Sequence, residues 1–366
     1  MPVRHNTGVQ PLAVALLILT ALTICSASVA GEPIAPPSPL SLIASHIRFL
    51  SADAITHYRY VDAAPGKVST RDVFYKVSTR LQINFTGHER TSLQLRAESG
   101  RNFQGSYDYT GWGMHEGYWS FNLKSLFLTQ RIGKHLAAQA GGIEFDRGAG
   151  TEATYADNDG WLEGYRLAYS GEAGSFLPEK ISLSVGYVGD FFQPNVFARL
   201  PRMAEENYVQ ILASRHVGPD REGSVEFDLI QTIRYVRSAL HWQKIPLHIV
   251  DEAYLEAIAR ASDDMRFGWS SSLFKTLDAK QRVKLGAFYS DMPDPIFQRG
   301  KTLIFENGDS YVFGKRIGPT VSWTLPRSFE VSLFASRRLD ENPGPRYRAQ
   351  VAVRYQFAPF LNRIVH

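Results

Sequence analysis

Charged residues recur at alternate positions in many segments of this sequence, opposite apolar neighbours. In "YRAQVAVRYQF" (347–357), Arg348 and Arg354 alternate with Val351 and Val353. Successive side chains of an extended strand point to opposite faces, so this segment has one apolar face and one charged face. The charged positions of this kind are Arg96, Glu98, Lys124, Glu226, Asp228, Arg234, Lys284, Glu330, Arg348 and Arg354.

Both signs of charge occur in this set, so the chemistry that it predicts is electrostatic. Charged side chains around a water-filled lumen set the ion preference of a pore, and these ten residues are therefore candidates for lining a lumen. The same alternation would also suit the solvated face of a soluble β-sandwich. A membrane barrel and a sandwich share the pattern with inside and outside exchanged, and one strand does not distinguish them.

The acidic stretch "YADNDGWLEG" raises the question of a calcium site. An EF-hand loop needs oxygen ligands at positions 1, 3 and 5, glycine at 6 and glutamate at 12. With Gly160 at position 6, Asp157 and Asp159 fit, but Tyr155 and Arg166 occupy the first and last positions. We therefore predict no metal and no cofactor, and Asp157 and Asp159 remain only as candidates for a loop-bound ion.

Signatures of hydrolytic catalysis are missing from the sequence. The ten histidines include no H-E-x-x-H motif, and no G-x-S-x-G nucleophile elbow occurs. His241 and His248 lie near Ser238 in the sequence, so a hydrolase built into a barrel wall remains an alternative. The prediction is that the protein is not an enzyme.

The elements that must position the charged residues are long alternating segments between Val73 and Phe357. Examples are "TSLQLRAES", "SVEFDLIQTIRY", "VKLGAFYSD" and "FEVSLFASR". Strands of soluble domains usually have about 5–6 residues, whereas tilted membrane-spanning strands need about 9–11, and these segments match the longer value. We predict an all-β fold: a transmembrane antiparallel up-and-down barrel of about 14 strands, with 12 to 16 compatible.

The N-terminus reads as a secretory signal peptide. Arg4 precedes an apolar run from Leu12 to about Ile24, and small residues follow up to Ala30. Cys25 is the only cysteine, so cleavage after Ala30 would leave a mature chain that has no disulfide. An uncleaved anchor and lipid attachment at Cys25 are the alternatives.

Three regions follow from these observations. Residues 1–30 form the signal peptide, residues 31–70 form a leader with a short helix or first strand, and residues 71–366 form the barrel. Residues 250–262 have helix-favouring composition but are assigned to a strand. An Asn-Gly pair at 307–308 predicts a tight hairpin, and "LPRS" predicts another turn, whereas "NFQGSYDYTGWGMHEG" and "DRGAGTEATYADNDG" predict long polar loops.

The net charge of +4 is mild for 366 residues and does not suggest a nucleic-acid-binding protein. After the signal peptide no stretch approaches 18 uninterrupted apolar residues, so no spanning helix is predicted. A chain of this kind crosses a bilayer only as a closed barrel.

Together, the signal peptide, the long strands and the aromatic-ended strand near the C-terminus resemble Gram-negative outer-membrane porins. Within them, "AGGIEFDRGAG…DNDGWLEGYRLAY" (140–169) loosely resembles the alginate-export type. That resemblance implies a basic lumen for an anionic polysaccharide, whereas the polar faces here mix both signs. Barrel proteins of this kind typically end on an aromatic residue that the assembly machinery recognises, whereas this sequence continues past Phe357.

We therefore expect a channel in the outer membrane of a Gram-negative bacterium that passes small polar or anionic solutes with weak selectivity. The expected partners are outer-membrane lipid, these solutes, periplasmic chaperones and the barrel-assembly machinery. A barrel-embedded hydrolase and a structural or adhesive barrel closed by loops are the alternatives.

Overall fold

A computed structural model describes residues 46–365 except 63–69, 86–89, 102–120, 152, 155–160, 173–176, 190–194, 262–264, 279, 281, 293–313 and 342–345. The described residues form sixteen antiparallel strands in one closed barrel, and each strand pairs with its neighbours in sequence. The barrel closes where β1 pairs with β16, from Asp53 opposite Gln356 to Val61 opposite Arg348. The predicted all-β antiparallel barrel is confirmed, and its strand number lies at the upper end of the predicted range.

The strands are β1 (Ile47–Val61), β2 (Thr70–Asn84), β3 (Thr91–Arg101), β4 (Phe121–Ile132), β5 (Leu136–Glu144), β6 (Trp161–Ser170), β7 (Lys180–Tyr187), β8 (Tyr208–Gly218), β9 (Arg221–Ile230), β10 (Ile233–Trp242), β11 (Glu252–Ala261), β12 (Arg266–Thr276), β13 (Val283–Met292), β14 (Gly314–Leu325), β15 (Phe329–Arg338) and β16 (Tyr347–Gln356). Two short helices are α1 (Val196–Arg199) and α2 (Ala358–Val365), and two 3₁₀ turns are Leu200–Ala204 and Pro326–Ser328. None of the helices in the described residues is long and apolar enough to cross a membrane.

Two open questions about the sequence are resolved as strands. The stretch of the predicted leader that was left open between a short helix and a first strand is β1, so the described strands of the barrel begin at Ile47. The segment with helix-favouring composition is β11, where Glu256 and Arg260 are buried and Leu255 is exposed. Period-two burial therefore outweighs the local helix preference of its alanines and glutamates.

The outer face of the barrel is apolar, and its inner face is mainly polar, apart from a buried apolar cluster that includes Ile230, Tyr235 and Ile258. Leu183, Ile211, Val225 and Leu333 alternate with polar residues along their strands and remain exposed on the outside. Inward neighbours of the same strands, such as Ser184, Gln210, Glu226 and Ser336, are buried. In the last strand the apolar face points outward and the charged face points inward, because Val351 and Val353 are exposed outside while Arg348 is buried inside.

The two ends of the barrel differ in their connections. At one end, two or three residues join β4 to β5, β8 to β9 and β14 to β15, and the last of these is the predicted turn at Leu325–Ser328. The other end carries the longest connections, such as those between β3 and β4 and between β5 and β6, together with a two-residue turn between β9 and β10. The predicted Asn-Gly hairpin at 307–308 lies outside the described residues.

Helix α2 packs against β1 at the short-turn end. The Asn362 amide accepts a hydrogen bond from the Phe49 N–H and donates one to the Phe49 carbonyl, each at 2.9 Å. This pair satisfies backbone groups beside the irregularity at Phe49–Ser51, where the β1–β2 register shifts. The residues after Phe357, which the sequence left unexplained, thus cap the first strand.

An outer strap, defined as residues 195–204, crosses the outside of the barrel wall. Its Arg199 is fully buried, with Nε 2.7 Å from Glu163 Oε1 and its guanidinium 4.0 Å from the centre of the Trp161 ring. Gly142 lies beneath it, and a Cβ there would approach Val196 Cγ2 to 2.4 Å. The missing side chain therefore allows the strap to pack against the wall.

Candidate functional site

The connection after β5 folds into the barrel instead of away from it. We call residues 145–154 the inward loop, of which residue 152 is outside the described part. Its contacts are with the inward faces of β7, β8, β9 and β11. The sequence predicted a long polar loop here without indicating that it enters the lumen.

Glu256 on β11 is the main anchor for the far end of the inward loop. Its carboxylate accepts hydrogen bonds from the Thr151 N–H at 2.9 Å, from the Thr154 hydroxyl at 2.7 Å and from the Thr151 hydroxyl. Glu256 is only 4% exposed, so these bonds replace the water that its charge would otherwise need. A hydrogen bond to a charged group contributes about 1.5–3 kcal/mol, which makes this the strongest described attachment of the far end of the loop.

The near end of the inward loop is held by its own carboxylate and backbone. Asp146 accepts hydrogen bonds from Lys180 Nζ at 2.5 Å and from the Ser182 hydroxyl at 2.9 Å. Gln210 Nε2 donates to the Asp146 carbonyl at 2.7 Å. Ala149 N–H donates to Ser224 Oγ at 3.1 Å, which places the middle of the loop against β9.

The pKa of the Asp146 carboxyl is lowered from its ordinary value of 3.8. Burial alone would raise this pKa, but the charges of Lys180 and Arg166 and the hydrogen bonds from Lys180 and Ser182 outweigh it. A lowered folded-state pKa means that the ionised group stabilises the folded loop above pH 3.8 and that this stabilisation is lost as pH falls through the lowered pKa.

We therefore expect the loop to loosen only in acid. Current through the protein should have the same noise between pH 8 and pH 5 and should fluctuate more only below pH 3.8, as pH falls through the lowered pKa of Asp146 and the anchor becomes protonated. Asp146→Asn removes the charge at all pH values and should show the acid behaviour already at pH 7. A quiet Asp146→Asn variant at pH 7, or a wild-type current that is already noisy at pH 5, would contradict this role of Asp146.

One sector of the lumen wall carries a cluster of cations around a single buried carboxylate. Glu98 is fully buried and lies 2.5 Å from Arg96, 3.4 Å from Lys124 and 3.6 Å from Lys76. Lys124 is the extra residue of a bulge in β4, opposite the step from Arg96 to Ala97 in β3. Further inward arginines of this sector are Arg59, Arg316 and Arg348, all buried.

The facing sector is richer in carboxylates. Arg237 lies 2.6 Å from Glu226 and also contacts Asp228, and all three side chains are buried. These residues lie on β9 and β10, half-way round the closed barrel from β1. Acidic and basic groups are thus separated across the lumen, and the inward loop lies on the acidic side.

Charged residues near the short-turn end are more open to water. Arg354 is 44% exposed and lies 3.7 Å from Glu330, and Lys284 is 35% exposed and contacts Glu252. At the level of the inward loop the inward charges are almost fully buried, as at Glu98 and Asp228. The lumen therefore narrows from the short-turn end towards the inward loop.

Nine of the ten candidate lumen residues lie on the inward side of their strands or, for Lys124, at the bulge facing Glu98. Arg234 is the exception: it is exposed on the outer face together with Val236, while Tyr235 and Arg237 point inward. The prediction for Arg234 was wrong because "SVEFDLIQTIRY" is two strands. A tight turn with Gln231 at φ 55° separates β9 from β10 and shifts the alternation by one residue.

Other inward charged residues are absent from the predicted set for similar reasons. Arg59 lies in the stretch left open between helix and strand, and Arg237 falls on the wrong face once the turn is overlooked. Glu256 and Arg260 alternate with Leu255 and would follow from the strand interpretation alone. The calcium candidates Asp157 and Asp159 lie outside the described residues, and no group of three metal-ligating side chains occurs within the described part.

The alternative of a wall-embedded hydrolase loses the three residues from which it was assembled. Ser238 is exposed on the outer face of β10, whereas His241 points inward, stacks on Tyr254 with ring centres 4.1 Å apart and lies 2.9 Å from Glu252. His248 is exposed in the connection between β10 and β11. The three residues therefore do not form one site.

The fold and the inward loop define a porin-like class of barrel. No family model and no curated protein matches the sequence. Among solved structures, a triply substituted variant of the Rh. blastica porin is similar with a TM-score of 0.52 and 11% identity, covering 85% of this chain and all of that one. A second triply substituted variant of that porin gives a TM-score of 0.51 at 11% identity over the same shares.

This similarity shows the fold: the chain folds as a closed porin-like β-barrel of sixteen strands. The alginate-export resemblance of residues 140–169 stays a prediction. In the structure the described part of this segment consists of the end of β5, part of the inward loop and β6.

Proposed function

We propose that this protein is an outer-membrane channel of a Gram-negative bacterium for small polar solutes, with weak selectivity. The observation that carries the proposal is the closed sixteen-stranded barrel with an apolar outside, a charged inside and a loop folded into its lumen. An apolar outer band with a polar interior is the arrangement of membrane barrels, and sixteen-stranded barrels are wide enough to hold water. The porin-like fold supports the same location and favours a channel over an enzyme.

Liposome swelling with neutral sugars of increasing size tests this proposal. Vesicles that contain the protein should swell rapidly with small sugars and progressively more slowly with larger ones, because the inward loop narrows the lumen. A structural or adhesive barrel with a closed lumen would give no swelling with any of the sugars. The burial of the charges beside the loop is the observation that favours this alternative.

Small anions are the solutes that the charge distribution favours slightly. The sector from β14 through β1 to β4 carries a cluster of inward arginines and lysines, whereas the carboxylates of β9 and β11 lie beside the loop. In the described ion pairs the charge of each cation is offset by a carboxylate, as the charge of Arg354 is by Glu330, so the excess of positive potential is small. Exposed charges are further screened beyond a Debye length of about 8 Å at 0.15 M salt.

Arginine substitutions give a direct test of this preference. Arg348→Ala should lower the anion-to-cation permeability ratio by about a factor of two, since rings of charge set ion preference. Arg354→Ala should change it less, because Arg354 is 44% exposed and close to Glu330. Reversal potentials in a salt gradient measure the ratio, and Arg234→Ala on the outer face is the matched control. A ratio that is equal in all three variants would place Arg348 outside the conducting path.

Delivery through periplasmic chaperones and the barrel-assembly machinery also belongs to this proposal. The signal peptide predicted at residues 1–30 and the outward Tyr355 at the end of β16 support it. Depletion of the assembly machinery should leave the chain unfolded and sensitive to protease.

A further inference from the structure

A group of cations and tyrosines lies on the outer face of the barrel near the long-connection end. Arg337 on β15 pairs in register with Tyr347 on β16, and the Arg337 guanidinium lies 5.9 Å from the Tyr347 ring centre. Arg346 lies 5.4 Å from the same ring centre. Arg71 on β2 is opposite Tyr60 on β1 and lies 5.7 Å from its ring centre.

These arginines lie on the outer face of the barrel wall and not in the lumen. Arg71, Arg337 and Arg346 are exposed, and so is Tyr347. Stacking on a tyrosine face fixes a guanidinium while leaving its N–H donors available at the edge. The described acidic neighbours include Asp62, which accepts from the Tyr60 hydroxyl at 3.5 Å, and Asp291, 4.0 Å from Lys315. Asp340 is a third, and its carboxylate is engaged by the Lys315 N–H at 2.7 Å and by Arg338 at 3.7 Å.

An apolar groove of about 310 Å³ lies on the same outer face directly below this cluster. Its lining includes Tyr58, Leu333, Ala335, Ala349 and Val351. The two alanines are small residues between larger ones, so the groove is a depression in the outer wall. Ala349 follows Tyr347 by two positions, or about 7 Å along a strand, which places the groove immediately beneath the stacked arginines.

We propose that this face binds a phosphorylated, acylated lipid of the outer leaflet, with phosphate at Arg71, Arg337 and Arg346 and an acyl chain in the groove. Guanidinium groups bind phosphate through charged hydrogen bonds, and clusters of them beside a membrane face recognise anionic lipid headgroups. The groove supplies the apolar contact that a soluble anion would not use. The proposal rests on the outer-membrane location but not on conduction.

A second copy of the chain is the other occupant to consider. Two copies related by a two-fold axis on this face would bring arginines against arginines, and like charges facing each other in an interface disfavour it. Charge complementarity therefore favours an anionic lipid over a subunit contact.

The test is lipid retention by the refolded full chain in detergent, measured by native mass spectrometry with diphosphoryl lipid A as the probe. The wild-type chain should retain diphosphoryl lipid A. It should not retain a lipid A from which both phosphates have been removed. The double variant Arg337→Gln/Arg346→Gln should bind about thirtyfold more weakly, since each of the two cations near a membrane surface contributes about 1 kcal/mol. Ala349→Trp, which fills the groove from the outside, should weaken retention independently.

Arg234→Gln is the matched control, because it removes an exposed outer arginine from the other side of the barrel. It should leave retention unchanged. Equal retention of the phosphorylated and phosphate-free lipids, or of the wild type and the double variant, would overturn the proposal. Dissociation of an oligomer by the double variant with lipid retention intact would make this face a contact between copies instead. Conductance of all these variants should equal that of the wild type, so failure of the lipid site and failure of the channel are distinguishable.

Discussion

Glu256→Ala should raise the single-channel conductance and make the open current noisier. The carboxylate of Glu256 is the acceptor for the Thr151 N–H and for the hydroxyls of Thr151 and Thr154, and it is 4% exposed. Each hydrogen bond to a buried charge contributes about 1.5–3 kcal/mol, so the far end of the inward loop loses its described anchor. A released loop fluctuates within the lumen and widens the narrowest part for part of the time.

Two matched variants separate this effect from a general loss of charge. Glu256→Gln keeps one carbonyl acceptor and should lie between the wild type and the alanine variant. Glu330→Ala removes an inward carboxylate near the wide end and should leave the noise unchanged. Planar-bilayer recordings compare all four proteins. Unchanged conductance in Glu256→Ala would mean that residues 145–154 do not limit the current.

Val351→Arg should impair assembly of the barrel far more than Gln350→Arg. Val351 is 39% exposed on the outer face of β16, whereas Gln350 points inward between Arg348 and Ala352. An arginine on the lipid face near the bilayer midplane costs about 2–4 kcal/mol, while a substitution in the lumen mainly changes selectivity. Heat-dependent gel mobility of refolded protein reports the folded fraction.

The neighbouring positions make this comparison well controlled, because both substitutions add the same side chain to the same strand. The Gln350→Arg variant should fold to nearly the wild-type yield. Equal yields for the two variants would reverse the assignment of inner and outer faces for β16.

Much of the fold followed from the alternation of side chains, because a period of two is a property that each strand carries alone. The prediction failed where an unrecognised turn changed which residues of the following strand point inward. Within "SVEFDLIQTIRY" no glycine or proline marks the turn at Gln231, so the alternation was carried through it and Arg234 was placed inside. A positive φ at a glutamine is uncommon, and nothing in the residue types predicts it.

The arrangement of the functional site depends on contacts between distant residues, which the sequence does not encode locally. Thr151 and Glu256 are 105 positions apart, and the polar residues around Thr151 suit a solvated external loop equally well. The outer strap is a similar case, since Gly142, Glu163 and Arg199 belong to three separate elements. What the sequence supplied was the charged inner face on which such a loop can be anchored.

The central claim is that the barrel conducts, and planar-bilayer recording of the purified, refolded full chain tests it most directly. Folding is established first by heat-dependent gel mobility, so that a negative result refers to the folded barrel. The account predicts discrete conductance steps that increase in proportion to salt concentration and show at most a mild preference for anions. Folded protein that inserts into the bilayer without producing conductance steps would contradict it.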